Sequence, residues 1–330
     1  MNETRKIDLT CLGILVLDVI AKKINRFPKA GTTEYFESIK LHPGGCAYNT
    51  GVGAKRLGLN VSIQGKIGND PYGDILLDFL KNEDVSADHI AKGKECTAYS
   101  FVMVPDNGQR RIFHTPGVND TYCLDDINFD SIKESRVLHI AGSSLMPKLD
   151  GNPTVELLKF CKANNILTSM DPVYKTEIAD VIVPALPYLD IFLPNNDESE
   201  HITGLKKPEE QLSFYLDKGV GIAGIKMGEK GVLISDRKEK FRMGIYEVNI
   251  SDTTGAGDSF IAGFIYGLLN KWDLVTCSRF ATATAAHCIQ SDGATSGIIQ
   301  ADEVLKFIKN QDPDGLQISF MNQAITKKIV

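Results

Sequence analysis

The chain has 330 residues, 43% hydrophobic and 24% charged, with a net charge of -6 at pH 7. That balance excludes collagen-like, disordered and disulfide-scaffold classes and leaves one or two domains able to bury a large core. Basic residues are spread along the chain without long like-charge runs, so the expected partner is a small ligand, with no nucleic acid and no membrane.

In chain order, Asp8 to Leu17 reads as a buried first strand. Arg5 and Lys6 before the apolar stretch hint at a signal peptide, but Asp8 and Asp18 bracket it and no small-residue cleavage site follows. No run reaches the roughly 20 apolar residues of a membrane span. Gly44-Gly45-Cys46-Ala47-Tyr48-Asn49 then opens a helix that closes at Gly58, with Lys55 and Arg56 in its last turn. Val61 to Ile67 is a strand, and Pro71 to Asn82 a helix capped by Asp70, with Ile75, Leu76, Phe79 and Leu80 along one stripe. Arg136 to Ala141, Ile166 to Met170, Asp190 to Leu193 and Ile222 to Met227 are further strands separated by helical patterns. The alternation predicts an α/β fold, doubly wound, with a mostly parallel sheet and helices on both faces.

Two segments break the alternation. Thr33 to Leu41 reads as antiparallel, as do Thr97 to Val104 and Arg110 to His114, joined by the hairpin signal Asp106-Asn107-Gly108. Together they are expected to form a small β-sheet standing off the main layer as a lid over a ligand site. Its apolar residues Phe101, Val102 and Val104 suggest a face covered by a partner, hence a homodimer through the lid. Seven cysteines form an odd set without C-x-x-C, and no H-E-x-x-H occurs, so neither a disulfide frame nor a zinc site is supported. A reducing cytoplasm fits best.

The stretch carrying most chemistry is Asp252-Thr253-Thr254-Gly255-Ala256-Gly257-Asp258-Ser259-Phe260. A strand-like run from Ile245 to Ile250 leads into it, and the helix is expected to begin near Gly257. Gly255 and Gly257 allow backbone N–H groups to converge at the helix start, where the macrodipole favours an anion such as a phosphate. Asp258 would repel that anion, but it makes sense as a base taking a proton from an attacking hydroxyl. A first-turn acid favoured by the dipole is the plainer alternative. A Walker A loop is absent, and a Rossmann motif would need a third glycine where Phe260 stands. Gly44 and Gly45 permit close approach of a ligand to the backbone, and Asn49 can donate to and accept from a polyol. Asp18 can accept two hydroxyl hydrogen bonds, or cap a turn.

G-G-C-A-Y-N, A-K-R-L-G and G-K-I-G-N-D-P-Y-G-D within residues 44 to 74, together with D-T-T-G-A-G-D-S-F at 252 to 260, resemble the two signatures of the ribokinase-like, or PfkB, carbohydrate kinases. Gly13 to Asp18 and the element order extend the resemblance to about residue 310, leaving 311–330 as a tail of unassigned structure and 31–43 and 96–116 as inserted lid segments. The resemblance implies ATP-dependent phosphorylation of a sugar or polyol hydroxymethyl group. It makes Asp258 the base and Gly255, Ala256 and Gly257 the anion hole, with Asp18, Gly44, Gly45 and Asn49 on the substrate. Asn195, Lys226, Gly228, Gly231 and Gly257 would contact ATP. Asn195 and Glu198, matching N-x-x-E, would position Mg2+ largely through water. Asp252, Thr254, Cys288 and Gly293 would hold a monovalent cation such as K+.

Departures from the family pattern blur the substrate. Ala141 to Pro147 lacks the carboxylate that ribokinases place there, and Asp171-Pro172-Val173-Tyr174-Lys175 departs from D-P-N-x-R at Val173 and Lys175. Arg111 or Asn119 is expected to face substrate. A nucleoside kinase of the same fold and a non-catalytic sugar-binding regulator are the alternatives.

Overall fold

The computed structural model describes residues 5–106, 111–175, 177–311 and 316–321. The hairpin residues Asn107 and Gly108, together with Arg110 and most of the 311–330 segment, lie outside the described residues.

The strands in chain order are β1 (Ile7–Gly13), β2 (Val16–Lys22), β3 (Ser38–Gly44), β4 (Val61–Gly68), β5 (Ile90–Gly93), β6 (Tyr99–Val104) and β7 (Arg111–Thr115). They continue as β8 (Ser135–Ser143), β9 (Leu167–Pro172), β10 (Ile191–Phe192), β11 (Ile222–Lys226), β12 (Val232–Ser235), β13 (Lys240–Met243) and β14 (Ile318–Phe320). The helices are α1 (Cys46–Arg56), α2 (Pro71–Asn82), α3 (Phe129–Lys133), α4 (Asn152–Ala163) and α5 (Ile178–Ile182). After them come α6 (Asn196–Thr203), α7 (Pro208–Asp217), α8 (Ala256–Leu269), α9 (Leu274–Cys288) and α10 (Ala301–Gln311).

Ten strands form the main sheet in the order β14-β13-β12-β11-β10-β9-β8-β1-β4-β5. Pairing is parallel from β5 to β11 and antiparallel through β12, β13 and β14. Alternate side chains of β8 serve opposite faces: Val137 and Ala141 join one apolar layer, Leu138 and Ile140 the other. Phe260, Phe264 and Phe280 of α8 and α9 fill the first layer, whereas Leu157, Leu158, Leu212 and Tyr215 of α4 and α7 fill the second. Strand order reverses beside β1, which lies between β4 and β8, so the ligand crevice of such a sheet falls at the carboxyl ends near β1 and β8.

The second sheet has the order β3-β2-β6-β7. The apolar run from Asp8 to Leu17 is therefore not one strand. β1 ends its pairing where the Ile14 N–H donates to the Ala141 carbonyl, and β2 then pairs with β3 and β6 of the lid. Leu15 and Leu17 are fully buried at the junction, so hydrophobicity continues across the break and periodicity does not register it. β3 of the lid likewise begins at Ser38 rather than Thr33.

Two further expectations are corrected. Ile245 to Ile250 forms no strand, and Ile250 is exposed. The partner of β13 comes from the end of the chain instead, as β14. Val102 is buried and Phe101 and Val104 partly so, because β6 is an interior strand; the exposed apolar residues of the lid are Ile39, Leu41, Ile112 and Phe113 on its two edge strands.

Candidate active site

The turn expected to take an anion is built by backbone. Gly255 caps α8 in the left-handed region (φ 78), and a Cβ there would sit 2.3 Å from the Ala294 carbonyl oxygen, so no other residue fits this turn. No side chain caps the helix, which starts at Ala256, and the N–H groups of Gly257 and Asp258 lack intrahelical acceptors. They carry the positive end of the helix dipole, the kind of helix start that favours an anion.

α1 starts in a similar way. Gly45 takes φ 88, with a Cβ position 2.4 Å from the Ile14 carbonyl oxygen, and leaves α1 without a side-chain cap. One turn later Asn49 is buried, and its Nδ2 donates to Asp258 Oδ2 at 2.8 Å. Its Oδ1 has no partner, which leaves an acceptor beside the carboxylate. Asp18 belongs to β2 in the lid sheet rather than to the carboxyl end of β1, and its Oδ2 lies 2.7 Å from where a Cβ on Gly44 would be. The chain of contacts Asp18, Gly44, Gly45, Asn49, Asp258 thus joins lid, first helix and anion turn.

Burial, then the nearby Asp171 charge, pushes the Asp258 carboxyl up to about 7, against the opposing influence of Asn49, Lys226 and Cys46. Glu198 is pushed up to about 7 by the same two causes, burial first and Asp171 second. Lys226 enters from the end of β11 and donates to Asp171 Oδ1 at 2.9 Å, from the end of β9. Burial works against its ammonium, but Asp171 and Glu198 hold its pKa above the ordinary lysine value. Three carboxylates therefore surround one ammonium. Sequence reasoning names Lys226 only as part of a nucleotide loop and does not find this pair. The available signal is an acidic and a basic residue, each ending an apolar strand of a parallel sheet.

Asn195 and Glu198 form a reciprocal cap on α6: Asn195 Oδ1 accepts from the Glu198 N–H and Glu198 Oε2 from the Asn195 N–H, both at 2.8 Å. One Glu198 oxygen is thereby committed to the cap. Asn196 Oδ1 is buried without a partner. No group of three or more His, Cys, Asp or Glu among the described residues is arranged to ligate a metal directly. A site with surplus carboxylate charge and few direct donors fits a cation that keeps its waters, as Mg2+ does.

Asp252, Thr254, Cys288 and Gly293 do come together. Asp252 Oδ1 accepts from the Thr254 N–H (3.0 Å) and hydroxyl (2.7 Å), and Oδ2 accepts from the Gly293 N–H at 3.1 Å. The Cys288 thiol points at the carbonyls of Ala294 (3.2 Å) and Thr254 (3.5 Å), which marks a convergence of backbone oxygens beside the anion turn. Next to it, Asp292 accepts from the Ser251 hydroxyl at 2.7 Å and pairs with Lys22 of β2 at 3.5 Å, a tie between this loop and the lid.

Gly228 and Gly231 flank a single helical turn between β11 and β12, as expected. Asn119 is buried with Nδ2 donating to the Leu15 carbonyl and Oδ1 without a partner, whereas Arg111 is exposed, its guanidinium 6.0 Å from the Phe27 ring. No helix among the described residues is long and apolar enough to cross a membrane.

Residues 6–301 match the family described as pfkB family carbohydrate kinase. An uncharacterised sugar kinase of Archaeoglobus fulgidus is 30% identical over 248 residues, covering 75% of this chain and 98% of that one. A 5-dehydro-2-deoxygluconokinase of Clostridium perfringens is 26% identical over 326 residues, covering 94% and 95%. Among solved structures, an Arabidopsis thaliana ribokinase complexed with ribose and ATP superposes with a TM-score of 0.81 at 23% identity, over 92% of this chain and 99% of that one. A glycine-capped helix start holding a buried carboxylate, on a ribokinase-like sheet with a separate four-stranded sheet, thus accompanies a family match over most of the sequence: the chain belongs to the pfkB family of carbohydrate kinases and is a sugar kinase.

Proposed function

We propose that the enzyme transfers the γ-phosphoryl group of ATP directly to a hydroxymethyl group of a sugar or sugar-like polyol, with Asp258 as general base. The observation that carries this reading is the Asp258 carboxylate in the first turn of α8, beside N–H groups free to take an anion and hydrogen-bonded to Asn49. A carboxylate with its pKa near 7 is matched to accepting a proton close to neutrality. In the reaction the hydroxymethyl oxygen bonds to the γ-phosphorus while the bond to the β,γ-bridging oxygen breaks. Its electron pair leaves with ADP, and the hydroxyl proton passes to Asp258. The backbone of Gly255, Ala256 and Gly257 steadies the transferring group.

Asp18, the Gly44-Gly45 turn and Asn49 hold the sugar, and Asn119 Oδ1 supplies another acceptor under the lid. Asn195, Gly228 and Gly231 border the nucleotide. Glu198 and Asn195 hold Mg2+ through water; when bound, it neutralises charge on the nucleotide phosphates. Asp252, Thr254, Cys288 and Gly293 would hold K+, whose charge would support the anion turn. The exposed edge residues of the lid pair two subunits, and seven free thiols suit a reducing cytoplasm. Stoichiometric ADP release across a panel of sugars and nucleosides tests the reading: release with sugars supports it, and release with nucleosides alone overturns the substrate class.

A further inference from the structure

Lys226 is placed for more than bordering a nucleotide. Its ammonium lies 3.2 Å from the point a Cβ on Gly257 would occupy, so it rests against the backbone that forms the anion turn. Of its three N–H groups, one is used, in the 2.9 Å bond to Asp171. The side chain is 15% exposed and that of Asp171 9%, so the pair is held in a site largely closed to water. An ammonium with donors to spare, anchored by a carboxylate on the neighbouring strand end and aimed at an anion-binding turn, has the chemistry to meet a phosphoryl group.

We propose that Lys226 contacts the oxygens of the transferring phosphoryl group alongside the Gly255–Asp258 backbone, with Asp171 as the residue that positions it. This rests on the reading of Asp258 and the anion turn given above. As the hydroxymethyl oxygen approaches phosphorus, charge collects on the equatorial phosphoryl oxygens, and the two unused N–H groups of Lys226 meet it in a preorganised, poorly hydrated site. Lys226 neither gains nor loses a proton. The pairing also separates labour among the carboxylates: Asp171 occupies the ammonium, which leaves Asp258 facing Asn49 and the acceptor hydroxyl.

The titratable groups facing Lys226 are Asp171 on β9, Glu198 on α6, Asp258 on α8, Cys46 on α1 and His139 on β8. This setting makes the pH profile informative. Without the Lys226 charge Asp258 loses an attraction that favours its ionised form, so Lys226→Met moves the acidic limb of kcat/KM to higher pH. Without the Asp171 charge Asp258 loses a repulsion, so Asp171→Asn moves the limb to lower pH.

The test is steady-state kinetics on the full-length enzyme, with melting temperatures to verify folding, for Lys226→Met, Asp171→Asn, their double variant and Asp258→Asn. The expected result is a kcat for Lys226→Met lowered about a hundredfold or more, the size of effect seen when one transition-state donor is lost, with KM values for ATP and sugar within about threefold of wild type. The double variant stays as slow as Lys226→Met, because the missing ammonium rather than the unpaired carboxylate limits the rate. Recovery of the double variant to near wild-type kcat would show a purely structural ion pair and overturn the proposal. So would acidic limbs that fail to move in opposite directions. If Asp258→Asn is inactive but Lys226→Met is within threefold of wild type, this proposal fails alone. If Asp258→Asn stays active, the underlying reading fails first.

Discussion

Asp258 carries its proton far more tightly in the folded chain than a free carboxyl does, its pKa moving from 3.8 to about 7 through burial and the Asp171 charge. Two outcomes follow with definite signs. For catalysis, protonation removes the base, so kcat/KM for the sugar should fall about tenfold per unit as pH drops below about 7 and level off above it; a flat profile from pH 5 to 8 would contradict the role. For stability, a carboxyl whose folded pKa is raised contributes most below its ordinary pKa and loses that contribution as pH climbs between about 4 and 7. Asp258→Asn removes the buried charge, so the ligand-free variant should melt a few degrees higher than wild type at pH 8 by differential scanning fluorimetry.

Asp18 is tested in the same register. A sugar hydroxyl left without its carboxylate acceptor in a sequestered site costs about 1–3 kcal/mol, so Asp18→Ala should raise the sugar KM about tenfold or more and leave the ATP KM nearly unchanged. Equal changes in both would mark a turn-stabilising role. At the residue level the sequence was legible where the signal is local, as in the glycine-flanked turn that places Asp258 in the first turn of α8. It was silent where function depends on pairing at long separation. Asp171 and Lys226 stand 55 positions apart, and only the parallel order of β9, β10 and β11 brings their ends together.

The elements divide by how they announce themselves. α2 could be placed to the residue because its cap is local: Asp70 Oδ1 accepts from the Gly73 N–H at 2.9 Å and Pro71 opens the first turn. α8 was legible to within one residue, since the glycines of its turn are in the sequence. The run before it was misread as a strand because Tyr246, Val248 and Ile250 alternate with Glu247 and Asn249, yet no neighbouring strand is available to them: the edge of β13 is taken by β14. Asp252, Gly293 and the oxygens of Thr254 and Ala294 lie beside the anion turn, so replacing potassium with a bulky organic cation at equal ionic strength should lower kcat several-fold. Equal rates in the two salts would remove the cation from the account.

For the whole molecule, the alternation of strands and helices was enough to specify a mostly parallel sheet covered on both faces, because βαβ order leaves few arrangements. The make-up of the lid was less legible. Its central strand β2 continues the same apolar run as β1, and only hydrogen-bond partners distinguish them. The lid edges expose Ile39, Leu41, Ile112 and Phe113, at 53%, 40%, 59% and 59%. With two subunits paired through these edge strands as proposed, light scattering at micromolar concentration should give twice the mass of the chain, and Phe113→Lys should shift it toward monomer. A fully active wild-type monomer would contradict that expectation.

In the proposed reaction a sugar hydroxyl loses its proton to Asp258 as the phosphoryl group is transferred. The most direct test of this step is the rate of ADP formation by Asp258→Asn at saturating ATP and sugar, measured beside wild type once an accepting sugar is known. The expected kcat is lower by about two to four orders of magnitude, with both KM values nearly unchanged. A folded Asp258→Asn enzyme retaining more than about a tenth of wild-type kcat would contradict it.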